Sequence, residues 1–190
     1  MIAKELKHPF IAEYKCFIHE YDKNLEEDSH HVSKFEDYKF QDAQNNCKDK
    51  YMTHLMLEHL GGKDLNHFIN HSRSQLSEAE LIEKAKMFGR QIISALAFLY
   101  SRKIIHRDLK PHNIVLTEDQ NSAKIIDLGF SMKFEGTKNS LQKVSGAGTP
   151  HFKSPEQWDD HMSLTTDVWA FGCIIFHFIT GVKPYDGLDE

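Results

Sequence analysis

Ser77 and Glu80 stand three apart, and behind them Leu81, Ala85, Phe88, Ile92, Leu96 and Leu99 recur at helical spacing. A Ser that caps the first turn while a Glu three residues on reaches back to it is a capping box. Together with the apolar recurrence it predicts one long amphipathic helix from about Glu78 to Ser101. Such a helix must lay its apolar stripe on a core, so the rest of the chain has to supply one.

The flanking segments read as partners for it. Asp167–Thr180 predicts a helix that is apolar nearly all round and is therefore buried by other elements. Asn113–Leu116 and Lys124–Ile126 are short and β-branched, and the polar "TEDQNSA" between them predicts a hairpin. Residues 10–18 alternate apolar and polar as a strand does, and residues 51–60 predict a second strand running into a loop at Gly61–Gly62. Asp64–His71 can form a short helix, and Gly129–Gly148 carries few structural signals. Between the first two strands, residues 19–50 hold nine acids against five lysines. So long a connection, with few apolar side chains to offset the entropy of ordering, is expected to be a disordered insert, with a weak strand around Tyr38–Phe40.

Composition narrows the function. At 190 residues the chain can hold one domain or two small lobes sharing a cleft. A net charge of −5 gives no basic footprint for nucleic acid. Cys16, Cys47 and Cys173 are odd in number and unevenly spaced, which suits reduced thiols in a cytosolic or nuclear compartment. The most apolar stretch, around Val168–Ile179, contains His177 and is too short to cross a bilayer. The thirteen histidines are scattered without closely spaced cysteine partners, so solvated side chains account for them better than a zinc site.

"IIHRDLKPHNIVL", residues 104–116, wedges charged side chains between two apolar segments. One reading is a polar loop joining helix to strand; the other puts Asp108 and Asn113, five apart, in a site that handles phosphate and a metal. Three further stretches bear on the choice: "DLG" at 127–129, "GTPHFKSPE" at 148–156 and "DVWAFG" at 167–172. The four occur in the order and at the separations of a eukaryotic-type protein kinase, which the chain resembles. "HRDLKPHN" is similar to the kinase catalytic loop in every fixed position. Leu128 stands for the usual Phe and Ser154 for the usual Ala.

The resemblance implies an α+β fold: a partial small-lobe β hairpin with an incomplete, mainly helical large lobe. It implies residues 1–60 as the small-lobe remnant, with the insert at 19–50, and residues 61–190 as the large-lobe part. ATP and Mg²⁺ are the implied cofactors, and a protein serine or threonine hydroxyl the implied acceptor. By the same resemblance Asp108 orients the hydroxyl and takes its proton, and Lys110 offsets phosphate charge. Asn113 and Asp127 would hold the metal. Lys110 and Thr149 fit the serine/threonine type. Arg107 would pair with a phosphorylated residue of the segment 127–156, for which Thr137, Ser140 and Ser145 are candidates. His106 and Asp167 would be scaffold.

Around the ATP base, "LEHLGGKDL" resembles the kinase hinge. Glu58–Leu60 would meet the adenine edge, Leu57 would be the gatekeeper, Asp64 would contact the ribose and Val115 would floor the base. Gly61–Gly62 reads equally well as a turn or as an approach to ligand. The matched pattern starts near the end of the kinase regulatory helix, and these 190 residues contain no Gly-rich phosphate loop and no strand-three lysine. A chain of this extent is expected to bind ATP poorly on its own and to fold marginally or associate. The alternative reading is a non-catalytic pseudokinase or interaction module; a small-molecule kinase fits less well, because of the segment 127–156.

Overall fold

The computed structural model describes residues 6–21, 31–33, 51–136, 140–144, 146 and 148–186, with backbone alone for 16–21, 31–33 and 51–54. Strand β1 (Tyr14–Tyr21) lies between β2 (His31–Ser33) and β3 (Tyr51–Leu57), both antiparallel to it. The register of β1 on β3 slips once, between Tyr14 and Cys16. The stretch expected to be a disordered insert thus contributes residues 19–21 and 31–33 to a sheet, and the rest of it, with the Tyr38–Phe40 strand, lies outside the described residues.

The second strand ends at Leu57, and the glycines after it are not a loop. Gly61–Asp64 is strand β4, antiparallel to β6 (Ile114–Thr117), which pairs in turn with β7 (Ala123–Ile125). Pairing explains the glycine choice: a Cβ on Gly62 would collide with the Leu116 carbonyl oxygen and sit 2.7 Å from that of Thr117. Gly61 turns at φ +77°, a conformation that glycine reaches freely. The predicted hairpin is β6–β7, set in the register Ile114↔Ile125. Its outer strand also receives a parallel bridge from Ile11, and Ala12 N–H donates to the Ile125 carbonyl at 2.8 Å.

Helix α1 (Leu65–His71) begins where Asp64 caps the His67 N–H. Helix α2 (Glu78–Ser101) carries the expected box, with Ser77 N–H donating to Glu80 at 2.9 Å. All six apolar positions predicted for its stripe are buried. They face helix α4 (Thr166–Thr180) and strand β7. At the centre Phe178 stacks on Phe68 with ring centroids 5.6 Å apart, and Phe88 meets both edge-on. Arg73 Nε donates to the Phe178 carbonyl at 2.9 Å, satisfying one of the carbonyls that end α4. Between Asn113 and α4 come three short strands and one short helix. β5 (Ile104–Ile105) pairs with β8 (Met132–Lys133), and β9 (Gln142–Lys143) with β10 (His161–Met162) around α3 (Pro155–Trp158).

Helix α4 departs from the expectation of burial all round. Ala170, Cys173, Ile174, His177 and Phe178 are buried, but Val168, Trp169 and Phe176 are 40–49% exposed and line an open groove of about 900 Å³. The physical reason is one-sided packing: α2 covers one face, and no described element covers the other.

Truncating Phe88 to Ala is expected to cost about 3–5 kcal/mol, because it removes a ring from the centre of the aromatic cluster. The urea midpoint of the chain checks this. A second prediction concerns pH. His177 is 1% exposed, its Nδ1 has no hydrogen-bond partner among the described residues, and burial lowers its pKa, with help from Lys183, His151, Arg73 and His112. As pH falls through the ordinary imidazole range the unfolded chain gains this proton and the folded chain does not, so stability falls with it. Between about pH 7.5 and about pH 5.5 the native chain should therefore lose more melting temperature than His177→Gln does.

Candidate active site

Strand β5 delivers the chain to His106, which is wholly buried. The His106 N–H donates to Asp167 Oδ2 at 2.7 Å and the Arg107 N–H to Oδ1 at 3.1 Å, so one carboxylate at the start of α4 holds two consecutive amides. Arg107 needs that restraint, since its φ of +76° is disfavoured for an L side chain by about 1–2 kcal/mol. Burial pushes the Asp167 carboxyl up from its ordinary range, while His106 and the two donated N–H groups pull it back. His106 Nε2 lies 3.1 Å from the Ile126 carbonyl, which joins this loop to the residue before Asp127.

Past the held amides the loop presents its polar side chains together. Lys110 Nζ is 2.7 Å from Asp108 Oδ2 and donates to Thr149 Oγ1 at 2.9 Å; Thr149 Oγ1 donates to Asp108 Oδ1 at 2.8 Å. Three residues from two distant segments thus close a ring of contacts. Asn113, ending a 3-10 turn from Pro111, donates from Nδ2 to the Asp108 carbonyl at 2.8 Å. That leaves its side-chain oxygen without a hydrogen bond among the described residues.

Asp127 arrives at the same place by a different route. The β6–β7 register, extended by the Ile126 N–H donating to the Asn113 carbonyl at 2.9 Å, sets Asn113 and Asp127 at one end of one hairpin. Asp127 is exposed, with φ +59°, and its Oδ1 accepts the Gly129 N–H at 3.1 Å. A carboxylate and an amide oxygen suit Mg²⁺, which usually takes one or two protein carboxylates and leaves its remaining positions to water and phosphate oxygens. No group of three or more His, Cys, Asp or Glu among the described residues forms an all-protein metal cage.

Beside Asp127 opens a cavity of about 360 Å³ lined by Leu57, Glu58, Leu60, Gly62 and Val115, among others. Of the five residues expected around a nucleotide base, the structure brings four to this cavity and leaves Asp64 out. Its carboxylate is spent on capping α1, at 2.7 Å from the His67 N–H. The Glu58 N–H donates to the Glu13 carbonyl, and the Leu60 carbonyl accepts from the Glu118 N–H. The Glu58 carbonyl and the Leu60 N–H therefore remain uncommitted on this edge among the described residues. The Glu58 side chain turns away to pair with Lys124 at 2.7 Å.

Sequence reasoning passed over Gln157. Its Oε1 accepts the Ser154 N–H at 3.0 Å and its Nε2 donates to the Arg107 carbonyl at 3.2 Å, tying the segment after Thr149 to the loop before Asp108. The S-x-x-Q spacing of a capping box was there to find it. Glu156 accepts from Thr166 Oγ1 at 3.0 Å. Of the candidate modified residues only Ser140 is described; Thr137 and Ser145 lie outside the described residues.

Comparison with known proteins agrees with this arrangement. Residues 1–190 match the protein kinase domain family, and the chain belongs to it. It is 35% identical to maternal embryonic leucine zipper kinase of Danio rerio over 135 residues, which is 70% of this chain and 19% of the relative. The Xenopus laevis protein of the same name is 34% identical over 134 residues, 70% of this chain and 20% of the relative. Serine/threonine-protein kinase PDK1 of Cryptococcus neoformans is 39% identical over 114 residues, 57% and 9% respectively. The chain spans about a fifth or less of the length of these relatives.

Replacing Asp167 by Ala orphans two buried donors and should destabilise the chain by about 1–3 kcal/mol for each. Chemical denaturation of the variant against the native chain measures it, and a shift under about 1 kcal/mol would contradict the assignment of Asp167 as the anchor.

Proposed function

We propose that the chain is the catalytic part of an ATP-dependent serine/threonine protein kinase, transferring the γ-phosphate to protein hydroxyls. Residues 1–60 would then be small lobe and 61–190 large lobe. The observation that carries the proposal is the closed Asp108–Lys110–Thr149 ring, set beside the hairpin end that bears Asn113 and Asp127.

Phosphoryl transfer has a loose transition state with charge spread over the phosphate oxygens, so a protein accelerates it by positioning and by electrostatics. Asp108, held by Lys110 and Thr149, is fixed in orientation and accepts the proton of an incoming hydroxyl at a carboxylate oxygen. Lys110, already 2.7 Å from that carboxylate, adds positive charge where a phosphoryl group would pass. Asn113 and Asp127 would hold Mg²⁺, which when bound neutralises charge on the nucleotide's phosphates. The uncommitted Glu58 carbonyl and Leu60 N–H offer an acceptor and a donor to a purine edge, and Leu57 and Val115 supply apolar contact to its faces.

The alternative, a non-catalytic interaction module, draws on the open groove along α4. Stabilisation of the chain by magnesium and ATP without transfer would favour it. The kinase reading expects magnesium-dependent phosphate transfer to a generic protein substrate, reduced about 10²–10⁴-fold in Asp108→Ala by loss of the proton acceptor. Equal transfer by native chain and variant would dispose of it.

A further inference from the structure

Asp127 has a backbone conformation that an L residue adopts only under restraint, and most of what restrains its turn is local. The Gly129 N–H bonds the Asp127 side chain, and Ser131 donates to the Leu128 carbonyl from its N–H at 3.1 Å and from Oγ at 2.6 Å. One bond to this turn comes from far away. The Leu128 N–H donates to the Tyr14 hydroxyl at 2.8 Å, a buried contact between residues 114 apart.

Tyr14 is well placed to act as a post. It opens β1 opposite Leu57, is 9% exposed, and shares a core cluster with Leu128. Burial, the largest influence, pushes its phenol above the ordinary range, so the hydroxyl stays neutral and able to accept from an amide. Both Tyr14 and Asp127 line the cavity that also holds Leu57 and Glu58.

We propose that Tyr14 is a positioning residue for the metal-holding carboxylate: its hydroxyl pins the Leu128 amide and so fixes the turn that aims Asp127 into the nucleotide cavity. The proposal rests on the kinase reading above, because it supposes a divalent cation at Asp127. A hydroxyl is a suitable post because it is short, rigidly mounted on a ring and needs no counter-charge. Without it the Leu128 N–H would be a buried donor with no partner, and the turn could relax by rotating Asp127 out of its left-handed conformation.

The test is Tyr14→Phe in the full chain, which keeps the ring and removes only the oxygen. Two quantities are read: the exchange rate of the Leu128 amide by NMR, and the ratio of affinities for a non-hydrolysable ATP analogue with and without magnesium. The ratio is the readout because the Tyr14 ring also borders the cavity, and a change in affinity alone could come from packing. Leu128 exchange is expected to speed about tenfold or more, and the magnesium-dependent gain to fall at least about threefold. If either quantity stays at its native value in the variant, Tyr14 is not a positioning residue. A native chain that shows no magnesium-dependent gain overturns the nucleotide reading and this inference with it. A native chain that shows the gain, with a variant equal to it, overturns this inference alone. Should the variant fail to fold, the native chain still decides: a Leu128 amide that exchanges as fast as that of exposed Phe130 has no bond to lose.

Discussion

Asp167 is a nearly wholly buried carboxylate that accepts the N–H groups of two successive residues from a loop 60 positions earlier. Burying a charge is costly unless donors surround it, and here the backbone itself supplies them. The consequence spreads outward. With 106 and 107 fixed, Asp108 leaves the loop in one direction, Lys110 and Thr149 can close on it, and His106 reaches the Ile126 carbonyl beside Asp127. The two halves of the polar site thus meet through a single anchored turn. The anchor itself stands on α4, which the Phe68–Phe88–Phe178 cluster fastens to α1 and α2.

Local patterns announced those parts of the fold whose cause is local. The capping box at Ser77 and the stripe from Leu81 to Leu99 placed α2 because helix caps and helical faces are written within a few residues. The hairpin of β6 and β7 was legible from its β-branched runs and polar turn. By contrast β4, β5, β8, β9 and β10 are two to four residues each and exist only through a distant partner, so Gly61–Gly62 looked like a loop and Gly129–Gly148 like a blank. Helix α4 misled for another reason: hydrophobicity all round a helix says that it needs cover, and the described residues supply cover on one face only.

The site divides along the same line. Spacing put Asp108, Lys110 and Asn113 together because they share one turn, and resemblance joined Asp127 and Thr149 to them. What a sequence could not state is how a side chain is already employed. Asp64 was expected at a ribose, yet its carboxylate serves the first turn of α1; Glu58 was expected at the cavity edge, where its backbone lies while its carboxylate pairs with Lys124. Gln157 went unnoticed because its capping role is local and its second bond, to the Arg107 carbonyl, spans fifty residues.

Leu128 shows how a departure from a family pattern can be offset elsewhere in the chain. The resemblance puts Phe at this position, and a Leu leaves the space of a ring to be filled. In this chain an aromatic ring enters the same core cluster from Tyr14, on a strand of the other sheet, and brings with it a hydroxyl that bonds the Leu128 backbone. A Phe at 128 would contribute its own ring to the cluster but no acceptor for its own amide. The exchange therefore trades ring packing at one position for packing plus a directional bond at another. That bond runs from the strand beside the cavity to the turn that carries Asp127, so the two walls of the cavity are joined by chemistry peculiar to this pair of residues.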